Sequence, residues 1–260
     1  MVALHAVNEV AIRAGQVVGE RYLAQDAWVR RKADGSPVTD VDLAAEAIIR
    51  EGLTGLEPEI PYVSEEHDLP PYEVRRGWTR YWLVDPLDGT KEFINRTDEF
   101  TVNIALIEHG EPTLGVVFAP VSGVLYYAQV GKGAWKRDRD GQERRLRSSL
   151  ADPSRPLRIV ESRSHPSPAL DAFLKPFIIA ERVKSGSSLK FCVVAEGGAD
   201  VYPRLGPTME WDVAAGDCVF RCSGQPDPHP STLVYNKPSL RNGPFVIGLP
   251  LDTYELPESS

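Results

Sequence analysis

The sequence predicts an α/β fold of the α+β kind for this chain of 260 residues. Two amphipathic helical segments come first, a series of short apolar strands with tight turns follows, and helical and strand-like segments then alternate. A chain of this length can form one large domain. We therefore predict a single domain over residues 1–260, with one half at 1–150 that holds helices and a meander and an α/β half at 151–260.

The helical period is clearest at the start of the chain. Residues 2–23 carry apolar side chains at three- and four-residue spacing, and residues 39–53 repeat that pattern. The residues from Ser36 to Asp40 supply N-cap chemistry for the second helix, and Asp42 falls in its first turn. Two helices are therefore expected before the first strand.

Short apolar strands follow the helices. Residues 60–64 lead into Glu65 and Glu66, and residues 80–85 end in Asp85, so both strands deliver carboxylates at their C-terminal ends. An antiparallel meander is then predicted from tight turn signals between four further strands. These strands are predicted at residues 100–108, 113–119, 124–129 and 133–137.

The second half alternates between helical and extended patterns. Strands are predicted at residues 157–160 and 200–205, and helices at 167–174, 187–196 and 212–222.

A charged segment at residues 136–147 carries six Lys or Arg residues, three acidic residues and the hairpin signal Asp140-Gly141. The simpler interpretation is a solvated hairpin. A surface that steers a polyanionic substrate is the alternative.

The composition limits the classes of partner. The chain has 29 Lys and Arg against 37 Asp and Glu, a net charge of −8, which argues against sequence-independent binding of nucleic acid. No apolar stretch is long enough to span a bilayer, and the N-terminus does not resemble a signal peptide. We expect a cytoplasmic protein, with peripheral association at the cytoplasmic side of the inner membrane left open. Cys192, Cys218 and Cys222 are expected to be buried, reduced thiols.

The strongest local motif directly follows the strand at 80–85. It reads Asp85-Pro86-Leu87-Asp88-Gly89-Thr90. Pro86 fixes its own φ and favours extended geometry at Asp85, while Gly89 lets the backbone approach a ligand closely. The motif predicts a forced turn flanked by two carboxylates, with backbone N–H groups available to a phosphate.

Mg²⁺ prefers oxygen ligands, which the carboxylates of Asp85 and Asp88 and the carbonyl of Leu87 would supply. Thr90 could then orient a water molecule. The alternative is a capped turn in which Asp88 is the N-cap of a helix that opens at Gly89 and Thr90.

Two other acidic motifs are ambiguous when taken singly. Glu65 and Glu66 could be solvated acids in a loop, and Asp212, beside Trp211, could be a helix N-cap. Taken together, three motifs in order and at fitting distances resemble the inositol monophosphatase superfamily. They are Ser64-Glu65-Glu66, the 85–90 motif and Trp211-Asp212-Val213-Ala214-Ala215-Gly216.

Within that superfamily, the chain is most similar to the bacterial 3′(2′),5′-bisphosphate nucleotidases. This likeness is found in four continuous segments, at residues 81–93, 100–107, 186–192 and 202–208. The resemblance implies a layered α-β-α-β-α sandwich with the active site between its halves. It also implies hydrolysis of the 3′-phosphate of adenosine 3′,5′-bisphosphate to AMP, a possible action on its sulfated analogue, a place in sulfur metabolism and inhibition by Li⁺.

The same resemblance implies two Mg²⁺ ions that share Asp85, and a third, weaker ion near Glu65 with Asp42 in its outer shell. The implied ligands are Glu65, Asp85, the Leu87 carbonyl, Asp88 and Asp212. Thr90 would hold the attacking water in line, so the implied catalytic residues are Thr90, Glu65 and Asp42. Bound cations would lower the pKa of that water and relieve the repulsion among the carboxylates.

Substrate recognition is implied for eight residues. They are Gly89, Thr90, Ser187, Ser188, Lys190, Tyr202, Arg204 and Asp212. Inositol-specific relatives place a carboxylate where this chain has Arg204, so a cation there favours a second phosphate. The alternative for Arg204 is a surface salt bridge. Glu210 departs from the expected pattern, because an uncharged residue is expected beside Trp211.

The motifs leave other functions open. An inositol monophosphatase or fructose-1,6-bisphosphatase would use the same metal site, although Lys190 and Arg204 argue against both. A non-catalytic sensor of metal and nucleotide would more naturally lack Thr90 or Glu65. A metal-dependent exonuclease typically begins with an Asp-x-Glu pair on a strand and carries basic, aromatic surfaces for a nucleic-acid strand, and neither feature is evident in the sequence.

Overall fold

A seven-stranded sheet organises the first half of the chain in the computed structural model, which describes residues 2–25, 27–31, 37–163, 168–224 and 226–256. The helices of these ranges are α1 (Leu4–Ala24), α2 (Asp40–Leu56), α3 (Tyr72–Arg75), α4 (Thr90–Ile94), α5 (Pro168–Leu174), α6 (Leu189–Ala195) and α7 (Glu210–Ser223). The strands are β1 (Val29–Arg31), β2 (Pro37–Thr39), β3 (Tyr62–Ser64), β4 (Arg80–Asp88), β5 (Thr101–Glu108), β6 (Glu111–Ala119), β7 (Val124–Gln129), β8 (Gly133–Arg137), β9 (Glu143–Leu146), β10 (Leu157–Ser162), β11 (Ile179–Ser185), β12 (Tyr202–Arg204), β13 (Thr208–Met209), β14 (Arg241–Asn242) and β15 (Phe245–Ile247).

The central sheet runs in the order β3-β4-β5-β6-β7-β8-β9. Only the β3–β4 pair is parallel, and the other pairs are antiparallel neighbours in sequence. The predicted meander is therefore confirmed. The turn between β5 and β6 is shorter than predicted, because His109 and Gly110 both adopt left-handed conformations, at φ 52 and φ 81. Such residues form a tight two-residue hairpin turn, so β6 begins at Glu111.

Helices cover both faces of this sheet. On one face, α1 and α2 bury apolar stripes that include Val10, Ala14 and Ile49, against Trp82 and Ile104 of the sheet. On the other face, the core includes residues of α6 and α7 packed on alternate residues of the same strands. Members of this second core are Tyr81, Leu83, Ala105, Ile107, Phe191, Val213, Ala214 and Cys218. The two-residue period of the strands thus separates the two cores.

A smaller sheet lies beyond α6 and α7. Strands β10 and β11 pair in parallel, β12 pairs with β15, and a bridge between Ile159 and Val201 joins these two pairs. Its apolar side packs against Leu170 and Leu174 of α5. The layers are therefore α1 and α2, the large sheet, α6 and α7, the small sheet, and α5, which confirms the predicted α-β-α-β-α sandwich.

The start of α2 follows from its capping residues. Thr39 accepts hydrogen bonds from the backbone N–H groups of Val41 and Asp42, and the Thr39 N–H donates to Asp42 Oδ2 at 2.9 Å. This reciprocal pair is a capping box. Ser36, which the sequence offered as part of the cap, lies outside the described residues.

The expectation of two helices before the first strand is wrong, because the β1–β2 pair lies between α1 and α2 in the chain.

Sequence periodicity also missed β11. Only its last residue, Ser185, is buried, and the segment is largely polar, so no apolar alternation marks it. Its pairing with β10 joins segments that are distant in sequence, which a local pattern does not reveal. The predicted helix at 167–174 begins at Pro168 in the described ranges, and Ser167 lies outside them.

The three cysteines are buried and free, as predicted. Among the described residues, no helix combines the length and the apolar character needed to cross a membrane.

Gly115 provides a test of the contact between β6 and α7. A Cβ atom at Gly115 would lie 2.5 Å from the Ala215 carbonyl oxygen and 2.6 Å from Cys218 Cβ. We expect Gly115→Ala to lower the free energy of unfolding by about 1–3 kcal/mol, because the added methyl group overpacks this contact. Gly55→Ala in α2 is the control, since nothing lies within 4 Å of its Cβ position, and it should raise stability by up to about 1 kcal/mol. Urea unfolding of both variants measures this, and equal effects would contradict the proposed tight contact.

Asp217 in α7 gives the protein a specific pH dependence. Its carboxylate is fully buried, accepts a 2.9 Å hydrogen bond from Tyr235 and lies 4.0 Å from Arg221. Burial outweighs these contacts and raises its pKa to about 6. The folded state therefore binds this proton more tightly than the unfolded state, and the stability it contributes is lost as pH rises through about 6.

We expect the stability of the wild type relative to Asp217→Asn to fall by about 1 kcal/mol between pH 5 and pH 7.5. Chemical denaturation of both proteins at several pH values gives this difference. The contributions of all other titrating groups are common to both proteins and cancel in it. Parallel stability curves would show that Asp217 keeps an ordinary pKa in the folded protein.

Candidate active site

A β-bulge in β4 places two acidic side chains on the same face of the sheet. Asp85 pairs with Asn103 and Asp88 pairs with Thr101, so β4 has one more residue than β5 across this interval. An extra residue reverses the alternation of side chains that follow it. Asp85 and Asp88 therefore both face α6 and α7, while Leu87 joins the core under α1 and α2.

The predicted turn after Asp85 is wrong, because β4 continues through the motif to Asp88. Helix α4 then begins at Thr90, and its N-cap is Gly89, at φ +94, with no side-chain cap. The alternative in which Asp88 caps a helix is therefore also wrong. Asp88 instead accepts hydrogen bonds from residues at the start of α6.

Two further carboxylates approach Asp85 from different elements. Glu65 follows β3, and its N–H donates to the Val84 carbonyl at 3.2 Å. Asp212 lies in the first turn of α7, where its Oδ2 accepts a 2.8 Å hydrogen bond from the Met209 N–H. One carboxylate oxygen from each of Glu65, Asp85 and Asp212 lies within 4.8 Å of the others.

Electrostatic repulsion is strong in this cluster. The pKa of Asp85 is raised well above its usual range, first by burial and then by the charges of Glu65, Asp88 and Asp212. The pKa of Asp212 is also raised, first by burial and then by Asp88. An all-oxygen donor set whose charges repel one another fits a hard divalent cation such as Mg²⁺. The cluster could therefore hold a metal ion.

Asp88 lies beside this three-carboxylate cluster. Its Oδ2 atom accepts hydrogen bonds from Ser187 Oγ at 2.6 Å, Ser188 N at 2.7 Å and Ser188 Oγ at 2.9 Å. Ser187 and Ser188, predicted to bind substrate, do line the cavity, but these hydroxyl groups contact Asp88. Their substrate role and the metal role of Asp88 stay predictions.

Thr90 and Asp42 lie together beside the motif. Thr90 Oγ1 is 3.3 Å from both Asp42 Oδ1 and the Leu87 carbonyl oxygen, and it can donate to either. Asp42 is buried, and burial is the main reason that its pKa is raised. The structure thus brings together the Thr90 hydroxyl, a second buried carboxylate and the predicted carbonyl ligand.

These groups open into a cavity of about 290 Å³. Its walls come from both halves of the chain, and they include every predicted site residue except Asp42. The lining residues are Glu65, Asp85, Leu87, Asp88, Gly89, Thr90, Lys91, Glu92, Ser162, Ser187, Ser188, Lys190, Phe191, Tyr202, Arg204, Thr208, Asp212 and Val213. Sequence reasoning missed Lys91, Glu92, Ser162, Phe191, Thr208 and Val213 as lining residues, although Lys91 and Glu92 directly follow the main motif.

Two cationic side chains, Lys190 and Arg204, also line the cavity. Lys190 Nζ donates to the Ser187 carbonyl and lies 5.5 Å from the centre of the Tyr202 ring. Burial lowers the pKa of Lys190 to about 8. Arg204 donates to the Pro207 carbonyl at 3.1 Å, while its buried Nε has no hydrogen-bond partner among the described residues. No ion pair holds Arg204 within the described ranges, so the surface salt bridge considered as an alternative is not observed.

Glu210 points away from the cavity. Its fully buried carboxylate accepts hydrogen bonds from the N–H groups of Asn236 and Lys237, at 2.7 and 2.8 Å, and pairs with Lys237 Nζ at 2.8 Å. The unexpected charge beside Trp211 therefore holds the 236–237 loop at the start of α7. It does not repel an anionic substrate at the cavity rim.

The fold and the cluster together define a layered α/β protein with a set of carboxylate oxygens that could hold a hard cation. A sequence model described as the inositol monophosphatase family matches residues 2–243. The chain belongs to this family.

Several relatives share most of their length with this chain. The 3′(2′),5′-bisphosphate nucleotidase CysQ of Salmonella typhimurium is 51% identical over 222 residues, which cover 85% of this chain and 88% of the relative. The CysQ of Haemophilus influenzae is 38% identical over 250 residues, covering 94% and 92%. Both carry the subgroup name that the sequence motifs indicated.

Solved structures show the same fold. CysQ from Bacteroides thetaiotaomicron, described as a bacterial member of the inositol monophosphatase family, superposes with a TM-score of 0.76 at 38% identity, covering 95% of this chain and 96% of that one. The extragenic suppressor protein SuhB of Bartonella henselae gives a TM-score of 0.71 at 26% identity, covering 84% of each chain.

Removing one charge from the cluster should have opposite effects with and without metal. Without metal at pH 7.5, Asp85→Asn should raise the melting temperature, because a buried carboxylate no longer repels its neighbours. With Mg²⁺, the melting temperature of the wild type should rise while that of the variant rises much less.

Differential scanning fluorimetry in EDTA and in a Mg²⁺ series measures both effects. The exposed carboxylate variant Asp252→Asn is the control and should behave like the wild type in both conditions. A variant that is less stable than the wild type in EDTA would show that repulsion does not dominate the cluster.

Proposed function

We propose that the chain is a Mg²⁺-dependent 3′(2′),5′-bisphosphate nucleotidase that hydrolyses the 3′-phosphate of adenosine 3′,5′-bisphosphate to AMP and phosphate. The observation that carries this proposal is the cavity itself, which is lined by the carboxylates of Glu65, Asp85 and Asp212 and also by the cationic side chains of Lys190 and Arg204. One phosphate of a bisphosphate substrate would lie at the metal-binding carboxylates and the other at the cations. The identity to nucleotidases named CysQ over most of the chain supports the same substrate.

Two to three Mg²⁺ ions would be held by the carboxylate wall. Glu65, Asp85 and the Leu87 carbonyl would hold one ion, Asp85, Asp88 and Asp212 a second, and Asp42 would support a third near Glu65. Bound Mg²⁺ supplies a nucleophilic water at neutral pH and neutralises charge on the transferred phosphoryl group. The all-oxygen donor set and the raised carboxylate pKa values support this assignment.

The chain's own groups would orient the reacting atoms. Thr90 Oγ1, 3.3 Å from Asp42 Oδ1, can donate a hydrogen bond to that carboxylate and accept one from the attacking water. The left-handed backbone at Gly89 allows a close approach to substrate, and a Cβ there would lie 3.3 Å from Phe100 Cβ. The N–H groups of Gly89 and Thr90 would bind the phosphate, with Asp212 at the leaving oxygen.

The second half of the chain would select the substrate. Arg204, whose buried Nε has no partner among the described residues, would bind the second phosphate. Lys190 beside the Tyr202 ring would add positive charge and a flat surface for the nucleoside. Ser187 and Ser188 would lie at the substrate as well as contacting Asp88. Because cavity walls come from both 1–150 and 151–260, we treat the chain as one domain with the site between its halves.

The first experiment compares phosphate release with Mg²⁺ from adenosine 3′,5′-bisphosphate, its sulfated analogue, inositol 1-phosphate and fructose 1,6-bisphosphate, each with and without Li⁺. We expect kcat/KM to be highest for the nucleotide and Li⁺ to inhibit its turnover. Preference for a sugar phosphate would keep the metal site but remove the roles given to Lys190 and Arg204. No turnover of any substrate would favour the sensor.

Arg204→Met tests whether Arg204 binds the second phosphate of the substrate. The variant should lose about 10–100-fold in kcat/KM for adenosine 3′,5′-bisphosphate, because a charge-assisted hydrogen bond of about 1.5–3 kcal/mol is lost. It should change little for 3′-AMP, which has no second phosphate. Arg155→Met removes an exposed arginine and serves as the control. Equal losses on both substrates would contradict the assignment.

A further inference from the structure

A buried polar network lies between β5 and the start of α6, directly behind Asp88. Its centre is Asn103, which is 1% exposed in the middle of an otherwise apolar part of β5. A polar side chain inside a sheet costs free energy unless it is hydrogen-bonded. Asn103 must therefore have partners, and they include Asp88 and a residue that itself contacts Asp88, Ser188.

The contacts of Asn103 lead to Asp88 by two routes. Asn103 Nδ2 donates to Ser188 Oγ at 2.7 Å and lies 3.4 Å from Asp88 Oδ2. Ser188 donates to the same Asp88 oxygen from its backbone N–H at 2.7 Å and lies 2.9 Å from it through Oγ. The Asn103 Oδ1 atom accepts from Thr101 Oγ1 at 3.0 Å. Since an ionised carboxylate only accepts hydrogen bonds, the amide is oriented with its NH₂ group toward Asp88.

The pairing of β4 with β5 places Asn103 near both Asp85 and Asp88. It is the cross-strand partner of Asp85, and the bulge that follows brings Asp88 to the same face. Among the described residues, the donors to Asp88 Oδ2 are neutral amide or hydroxyl groups. A lysine or arginine there would compete with a cation for the negative charge, whereas neutral donors orient the carboxylate and leave its charge in place.

We propose that Asn103 is a positioning residue that holds Asp88 Oδ2, directly and through Ser188, so that Asp88 Oδ1 is presented to the cation site. This inference rests on the proposed function, because it requires Mg²⁺ at the cluster of Glu65, Asp85 and Asp212. Ser188 is the intermediate in this arrangement. Its Oγ also lies 2.7 Å from the Asp212 carbonyl oxygen, which ties α6 to the start of α7.

The test measures Mg²⁺ binding without substrate. Isothermal titration calorimetry and the Mg²⁺-induced shift in melting temperature are compared for the wild type, Asn103→Ala, Asn103→Asp and Ser188→Ala. Removal of an outer hydrogen-bond partner of a metal ligand weakens metal binding by about 10–100-fold. We expect such a loss in the Asn103 and Ser188 variants, largest in Asn103→Asp, whose carboxylate would repel Asp88.

Two comparisons separate positioning from general destabilisation. Asn8→Ala removes another buried asparagine, in α1, and should change the melting temperature in EDTA but not Mg²⁺ affinity. The double variant Asn103→Ala/Ser188→Ala should bind Mg²⁺ about as weakly as the weaker single variant, because both act through Asp88. In Asn103→Ala, which leaves the cavity-lining residues unaltered, the Mg²⁺ concentration for half-maximal turnover should rise in parallel, with KM for substrate at saturating Mg²⁺ little changed.

Mg²⁺ affinities of the Asn103 and Ser188 variants within twofold of the wild type would overturn the positioning role alone. A wild-type protein that binds no Mg²⁺ would overturn both this inference and the proposed function. If Asn103→Ala does not fold, Ser188→Ala, which leaves β5 unaltered, decides the question by the same measurement.

Discussion

Repulsion among closely spaced, partly buried carboxylates is the constraint on which the arrangement of this molecule depends. Glu65, Asp85 and Asp212 come from three different elements, yet their oxygens lie within 4.8 Å of one another. Bringing like charges together in a poorly solvated cavity costs free energy, as the raised pKa values of Asp85 and Asp212 show. The packed layers on both sides of the sheet supply the stability that holds these groups in place, and a bound cation would convert the repulsion into affinity.

Hydrogen bonds at the start of α7 fix the position of the helix that carries Asp212. The Asp212 carboxylate accepts from the Met209 N–H at the start of α7, and Glu210 ties that same helix end to the backbone of Asn236 and Lys237. Asn236 in turn exchanges hydrogen bonds with Arg75, which lies in the segment that follows Glu65. These hydrogen bonds thus link the start of α7 to α3. The Glu210 carboxylate among them is fully buried and hydrogen-bonded, which holds this end of the site in place.

The acidic and the cationic residues of the cavity lie in different parts of the fold. The carboxylates sit at the ends of a strand and a helix, within elements whose cores are closely packed, while Arg204 lies in the short strand β12 of the smaller sheet. A change in β12 can therefore alter the residues around Arg204 without disturbing the elements that carry the carboxylates.

The sequence by itself predicted the long helices, the meander, the family and, through the resemblance to that family, the residues of the acidic cluster, because short-range periodicity and local motifs carry this information. It did not determine the bulge in β4, since the extra residue is defined only by pairing with β5. Nor did it reveal the contacts of Asn103 or the direction of Glu210, which depend on residues 85 and 26 positions away. The tertiary structure decided these points because a buried polar group is defined by partners that folding alone brings into reach.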